Sequence, residues 1–258
     1  MLVKACLNGG TTRAKHPSVP QTPDELAADA LAACQAGAGA VHIHPRDAPG
    51  AETLEPDAVL AAVAAVRAVV PGVPVGVTTG IWAVGGDPAR RIELVARWTG
   101  PDRPDFASVN LSEPGTDELA DLLRGLGIPV EAGVWSAADA DRLAASSFAD
   151  RVIRVLIEPP DEDGASAVAT AAEAEAALDR HGIGAPRLHH GYGLATWDVI
   201  RAALALGRDI RVGLEDTTVL PDGSRATGNA DLVAAAVRMA SSADRPPDGG
   251  VDGASSPV

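Results

Sequence analysis

Thr22-Pro23-Asp24-Glu25 opens a stretch that closes near Gly37 and leads into Ala40-Val41-His42-Ile43-His44-Pro45; the reading of this segment decides the fold. Thr22 offers a capping hydroxyl, Pro23 suits the first helical position, and Glu25 stands where a capping-box carboxylate reaches back. The run after it is short and apolar, as a strand covered on both faces should be. The same alternation extends in both directions. Strands are expected at Val3–Asn8, Ala40–Pro45, Val73–Thr79, Asp105–Asn110, Ile128–Trp135, Arg151–Pro159, Pro186–Gly191 and Asp209–Asp216. Helices are expected from Thr22 to Gly37 and at Asp57–Val70, Pro88–Trp98, Asp117–Leu126, Ala137–Ala145, Ser166–His181, Thr196–Leu206 and Asn229–Ala240. Eight strand–helix pairs in 258 residues predict one α/β domain, a (β/α)8 TIM barrel over residues 1–240, with an open doubly wound sheet as the alternative. Ser241–Val258, rich in Ser, Asp, Gly and Pro, is expected to be a disordered tail.

Composition narrows the function. Hydrophobic residues make up 46% of the chain but aromatics only 3%, so the core is built from Ala, Val, Leu and Ile. A formal net charge of −14 offers no electrostatic footprint for nucleic acid or an anionic membrane. No apolar run approaches the length of a membrane span, and the N-terminus goes straight into Leu2-Val3-Lys4-Ala5-Cys6-Leu7 without the features of a signal peptide. A cytoplasmic protein with two free thiols, Cys6 and Cys34, is expected.

Barrel enzymes place their chemistry at the C-terminal ends of the strands. Those ends carry Asn8-Gly9-Gly10, His42 and His44, Thr78-Thr79-Gly80, Ser108 and Asn110, Glu131 and Trp135, Glu158, His189-His190 and Glu215-Asp216. The strand starts are mostly apolar. His42 and His44, two apart on a strand, point to the same side. Two neutral imidazoles and one carboxylate form a common catalytic metal site with open positions, and Glu215 or Asp216 on the last strand can supply the carboxylate.

The remaining rim residues carry weaker signals. Thr78, Thr79 and Asn110 could bind a substrate carboxylate, and Glu131 could act as base or orienter. Arg211 shares strand parity with Glu215. Alternation admits only one of His189 and His190 to the interior, and the sequence does not choose between them. Lys4 is expected on the outer face of the first strand and Lys15 in the following loop; with no other lysine in the chain, Schiff-base chemistry is disfavoured. Carbon–carbon chemistry would then need a metal to polarise a carbonyl.

Thr11-Thr12-Arg13, His42-Ile43-His44-Pro45-Arg46-Asp47, Arg211-Val212-Gly213-Leu214-Glu215-Asp216 and Asn229-Ala230-Asp231-Leu232-Val233, in that order, resemble the β-keto acid cleavage enzymes. The resemblance runs from about Val3 to Met239. It implies Zn²⁺ held by His42, His44 and Glu215. It implies transfer of an acyl group from a β-keto acid to CoA, with acetyl-CoA as co-substrate and acetoacetate released. It places the catalytic Asp and its helper Arg on Asp216 and Arg211, carboxylate-binding groups on Thr78 and Asn110, and a fifth-strand glutamate on Glu131. A homo-oligomer acting on small molecules is expected. Gly10 stands where the typical member has a glutamate that holds the substrate amine, so 3-keto-5-aminohexanoate is not expected as the natural substrate. A C-terminal helical segment usual in the family is not expected from this sequence. The alternatives are a metal-dependent hydrolase of the amidohydrolase type, which usually carries its histidine pair on the first strand, and a non-catalytic metal-binding module.

Overall fold

The computed structural model describes residues 1–48 and 50–243. Eight parallel strands close on themselves in chain order, β1 Val3–Cys6, β2 Ala40–Ile43, β3 Val75–Thr78, β4 Phe106–Asn110, β5 Val130–Val134, β6 Arg154–Ile157, β7 Arg187–His189 and β8 Asp209–Val212. Eight helices form the outer layer, α1 Pro23–Gln35, α2 Pro56–Val69, α3 Pro88–Val95, α4 Thr116–Gly125, α5 Ala137–Ala145, α6 Gly164–Arg180, α7 Thr196–Ala205 and α8 Asn229–Ala243. The chain is a (β/α)8 barrel, and the open sheet is set aside. The predicted tail begins inside α8 at Ser241; its remainder, 244–258, lies outside the described residues.

Local chemistry explains the alternation. At α1 the capping box is complete: Thr22 accepts from the Glu25 amide, and Glu25 accepts from the Thr22 amide. Pro occupies the first turn of α1, α2 and α3, where its missing N–H costs nothing. The outward strand residues Ala5, Val41, Ile43, Val75, Val77, Val109, Ala132, Val155, Ile210 and Val212 are fully buried under the helices.

The strands are shorter than their apolar patterns suggest. β1 stops at Cys6 and β8 at Val212, so Asn8, Glu215 and Asp216 sit on the loops just beyond. The seam between β8 and β1 is closed there by Asn229, fully buried at the start of α8. Its amide donates to Leu7 O at 2.8 Å and to Asp29 on α1 at 2.5 Å, and its oxygen accepts from Leu214 N at 2.7 Å. Gly213 makes the turn possible, because a Cβ there would collide with the Cys6 carbonyl.

The barrel interior corrects one expectation. Lys4 does not face outward; it shares the parity of Cys6 and Asn8 and projects into the barrel. Its Nζ donates to Glu131 Oε2 at 2.5 Å, with both side chains fully buried. Arg154 Nη1 holds the other oxygen of Glu131 at 2.9 Å, and both cations lie near the Phe106 ring, 5.8 and 5.7 Å from its centroid.

Burial lifts the Asp29 carboxyl to about 6, partly offset by the Asn229 hydrogen bond. The folded state therefore holds a proton on Asp29 that the unfolded chain loses near the ordinary aspartate value of 3.8, so this group's contribution is full below that pH and is lost as pH rises through about 6. Asp29→Asn keeps an acceptor for Asn229 and removes the charge. Its Tm relative to the parent should rise by a few degrees between pH 4 and pH 7.5; a difference independent of pH would contradict this.

Candidate active site

His42 projects inward from β2, and His44 follows it just beyond the strand end. His42 Nε2 and His44 Nε2 lie 3.2 Å apart, and His44 Nε2 lies 3.4 Å from Glu215 Oε1. One donor atom from each of the three residues falls within 4.8 Å of the others. Four ligands at about 2.0–2.1 Å around a tetrahedral ion stand roughly 3.3 Å apart. The two imidazole edges thus meet at the separation one shared ion imposes. Glu215 Oε2 and His42 Nδ1 are buried without hydrogen-bond partners, so the site has unmet capacity. Burial keeps His42 neutral by pushing it well below its usual range, and the nearby positive charges of His44, Lys4 and Arg211 add to this. Burial also opposes ionisation of Glu215, but Arg211 and His44 outweigh it and hold the group as a carboxylate. A neutral imidazole and a committed carboxylate are the ligand states a divalent metal requires. Without an ion, His44 titrates high, at about 9, because Glu215 and Glu52 outweigh its burial.

Glu52, in the loop after β2, was not singled out from the sequence. Its Oε2 accepts from His44 Nδ1 at 2.6 Å and from Trp82 Nε1 at 2.8 Å. This frees Nε2 of His44 to face the metal position and fixes the ring, the usual role of a carboxylate behind a ligating histidine. Trp82 stacks against His44 at 6.3 Å with a 17° interplanar angle. Asn8 continues the β1–β2 ladder with its side chain, accepting from His44 N at 2.9 Å and donating to His44 O at 2.8 Å. Gly9, at φ +49°, lies where any side chain would overlap Glu215.

Arg211 reaches up from β8 and joins the metal ligand to the catalytic candidate. Its Nη2 donates to Glu215 Oε1 at 2.5 Å and to Asp216 Oδ1 at 2.7 Å, and its Nε donates to Asp216 Oδ1 at 3.1 Å. Of the paired histidines, His190 is the interior one. Its Nδ1 lies 3.3 Å from Asp216 Oδ1 and its Nε2 3.0 Å from Glu158 Oε2. His189 points the other way and meets Glu175 on α6 at 2.8 Å. Burial disfavours the charged form of His190, but Asp216 and Glu158 prevail and raise its pKa. Glu158 Oε1 is buried without a partner.

Two adjoining spaces border the candidate metal position. An inner cavity of about 40 Å³ is walled by Thr78, Ser108, Asn110, Trp135, Glu158 and Arg211, among others. A mouth of about 390 Å³ is lined by Gly10, Thr11, Lys15, Glu52, Trp82 and Tyr192. His44, Trp82, Tyr192 and Glu215 border both. Thr78 Oγ1 accepts from Gly80 N at 3.0 Å, which leaves its proton free to donate. Thr79 is turned away and donates to Ser108 O at 2.6 Å. Asn110 spends its amide on Glu113 at 2.7 Å, which leaves its carbonyl oxygen free. Glu131 and Asp216 line neither cavity: the first lies below with Lys4 and Arg154, the second behind Arg211 and His190. A separate cavity of about 300 Å³ around Ile128 and Phe148, at the opposite end of the barrel, is mostly apolar and brings no such groups together.

Two outcomes follow from these contacts. Glu52→Ala should weaken metal binding about 10–100-fold in a chelator competition while the fold persists; unchanged affinity would remove Glu52 from the site. Glu131→Gln leaves Lys4 without its full counter-charge and should cost about 3–5 kcal/mol in denaturant unfolding. A loss below about 1 kcal/mol would show the pair to be dispensable.

A curated relative, the 3-keto-5-aminohexanoate cleavage enzyme of Fusobacterium nucleatum, is 26% identical over 251 residues, covering 93% of this chain and 91% of that one. Among solved structures, apo ObcA superposes with a TM-score of 0.70 at 21% identity, over 86% of this chain and 61% of that one. ObcA bound to oxaloacetate gives 0.69 at 20% identity, over 86% of this chain and 63% of ObcA. The chain therefore spans less than two thirds of the ObcA chains it resembles. 3-Dehydroquinate dehydratase from Geobacillus kaustophilus gives 0.62 at 12% identity, over 93% of this chain and 90% of that one. At these identities the structural likeness carries the barrel fold alone. The sequence model of the beta-keto acid cleavage enzyme family matches residues 1–153 and 163–250, nearly the whole chain, and by that match the chain belongs to the beta-keto acid cleavage enzyme family.

Proposed function

We propose that this chain is a zinc-dependent acyltransferase that converts a β-keto acid and acetyl-CoA into acetoacetate and a new acyl-CoA. The observation that carries the reading is the buried His42–His44–Glu215 set at the junction of a small polar cavity and an open mouth, in a chain of this family. Zinc bound there would act as a Lewis acid on the keto oxygen and offset developing enolate charge. The chain's own residues divide the remaining work. Thr78 offers a hydroxyl to the substrate carboxylate, and Asn110 fixes the neighbouring wall. Arg211 holds Asp216 and Glu215 in register. Asp216, which lies behind Arg211 and His190, would serve as base at one remove, taking a proton through His190 from the cavity-wall carboxylate of Glu158 rather than touching the substrate. Glu131 contributes from below, as the counter-charge of Lys4 and Arg154. The mouth admits the acetyl-CoA thioester.

Substrate choice turns on the mouth. Gly10 offers no side chain there, Glu52 Oε2 is occupied by His44 and Trp82 while its Oε1 lies beside Gly10, and Lys15 lines the same wall. A cationic side chain would meet the Lys15 ammonium. Neutral or anionic β-keto acids are therefore expected to outperform 3-keto-5-aminohexanoate. A homo-oligomeric assembly and a cytoplasmic location belong to the same reading; among the described residues no helix is long and apolar enough to cross a membrane.

The amidohydrolase reading gains nothing from the site. Its usual first-strand pair is absent, and Lys4 lies in the ion pair below the site, outside both cavities. The test is product detection: zinc-loaded protein, acetyl-CoA and a panel of β-keto acids, scanned by mass spectrometry for new acyl-CoA species. Turnover is expected and should fall at least about 100-fold in His42→Ala, which removes a metal ligand, and in Asp216→Asn, which removes a positioned acid–base group. No acyl-CoA product across neutral, anionic and cationic acids would overturn the acyltransferase, and 3-keto-5-aminohexanoate as the best acid would overturn the substrate reading. Metal loss in His42→Ala with turnover unchanged would favour a non-catalytic metal role.

A further inference from the structure

The chain has four tryptophans. Three of them donate their indole N–H: Trp82 to Glu52 at 2.8 Å, Trp98 to the Leu54 carbonyl at 3.1 Å and Trp197 to the Val219 carbonyl at 2.9 Å. Trp135 is different. Its Nε1 is buried and has no partner, and its side chain lines the inner cavity beside the metal position. A buried donor left without an acceptor costs about 1–3 kcal/mol, and protein interiors rarely tolerate one without a use.

The backbone holds Trp135 firmly in place. It follows directly on β5, its own amide donates to Asp139 Oδ2 at 3.0 Å, and the next residue, Ser136, caps α5. The indole is therefore presented from the rigid end of a strand, one side-chain step above Gly133 and level with Glu158 on β6, whose preceding residue Ile157 pairs with Val134. Glu158 would repel an anion placed nearby if it stood alone. It does not, because His190 lies 3.0 Å from its Oε2 and Arg211 4.0 Å away. Thr78 and Ser108, from the neighbouring strands β3 and β4, line the same cavity with their hydroxyls, and Arg211 adds a cation beside the carboxylates of Glu158 and Glu215. The space of about 40 Å³ is enough for a group of carboxylate size, given about 10–15 Å³ for one water.

We infer that Trp135 is a substrate-binding residue, its indole N–H donating to a carboxylate oxygen of the β-keto acid in the inner cavity. The inference rests on the β-keto acid reading above. It adds a recognition element on β5 that neither the sequence motifs nor the metal geometry identified.

The test reads the hydrogen directly. Zinc-loaded protein labelled with ¹⁵N shows indole N–H signals for its tryptophans, and Trp135→Phe identifies the one that belongs to Trp135. If that variant does not fold, replacing Trp82, Trp98 and Trp197 by Phe one at a time assigns the fourth signal by elimination. Titration with acetoacetate should move the Trp135 proton downfield, while the signals of Trp98 and Trp197, already bonded to carbonyls, stay in place. In turnover, Trp135→Phe should raise KM for the β-keto acid about 10–100-fold, the size expected for a hydrogen bond to a charged group. Its kcat should stay within about twofold, because the contact exists before the chemistry. Binding of acetoacetate with no movement of the Trp135 signal overturns this inference and leaves the proposed function standing. A KM unchanged in Trp135→Phe does the same. Failure of the parent protein to bind acetoacetate or turn over any β-keto acid overturns both.

Discussion

The constraint that organises this barrel is the burial of charge at its open end. Glu52, Glu158, Glu215 and Asp216 converge around the site, while Arg211 is the one buried guanidinium among them. A buried carboxylate is tolerable only when it is paired and hydrogen-bonded. Arg211 meets two of the four directly, and His190 and His44 serve the others. Even so, the balance stays negative unless imidazoles carry protons or a cation sits among them. Against the pull of burial, the carboxylates around His44 and His190 push both imidazoles up, toward the charged form that offsets them. A divalent ion between His42, His44 and Glu215 offsets the same negative balance with fewer charged side chains and leaves both imidazoles in the neutral form that ligates.

The same constraint explains the inside of the barrel beneath the site. Such interiors are usually filled by branched apolar side chains in layers. Here the lower layer holds Lys4, Glu131 and Arg154 around Phe106. The pair is expensive to bury and, once buried, expensive to break. Its value lies in position. Burial is the main cause of the lowered His42 titration, and the Lys4 charge below it adds to the same direction. The fifth-strand glutamate is held in this pairing, out of reach of both cavities.

The fold was readable in the sequence because the barrel repeats one simple signal eight times. Helix starts such as Thr22–Glu25 carry their own chemistry, and apolar strands separate cleanly from Ala-rich helices. The strand ends were less legible. Asn8, Glu215 and Asp216 continue the strand-like pattern but leave the ladder, because at the seam the Asn229 amide and the collision-free Gly213 turn replace backbone pairing. His42 and His44 could be read from parity alone, a property of two residues on one strand. Glu52, Lys4 and His190 could not. Their roles depend on partners in other elements: Glu52 meets a histidine across a loop, Lys4 meets a carboxylate 127 positions away, and His190 is chosen over His189 by which face holds Glu158 and which holds Glu175. A carboxylate in the loop after a histidine-bearing strand was the one available hint of Glu52.

The geometry also bears on how substrate range could vary on this scaffold. His42, His44, Glu215, Arg211 and Asp216 are locked by mutual hydrogen bonds and by Asn8, Glu52 and Asn229 around them. Altering any one disturbs several others, so this part of the site has little freedom. The mouth is built differently. Gly10, Thr11 and Lys15 come from one loop, Trp82 from another and Tyr192 from a third, and apart from Trp82 none is needed to hold a ligand in place. Loop residues carried by a rigid barrel can change without cost to the metal set. The tightly bonded and the loosely bonded parts of the site are thus separated along the axis of the barrel: charge pairing fixes the inner end, while the rim is built from separate loops.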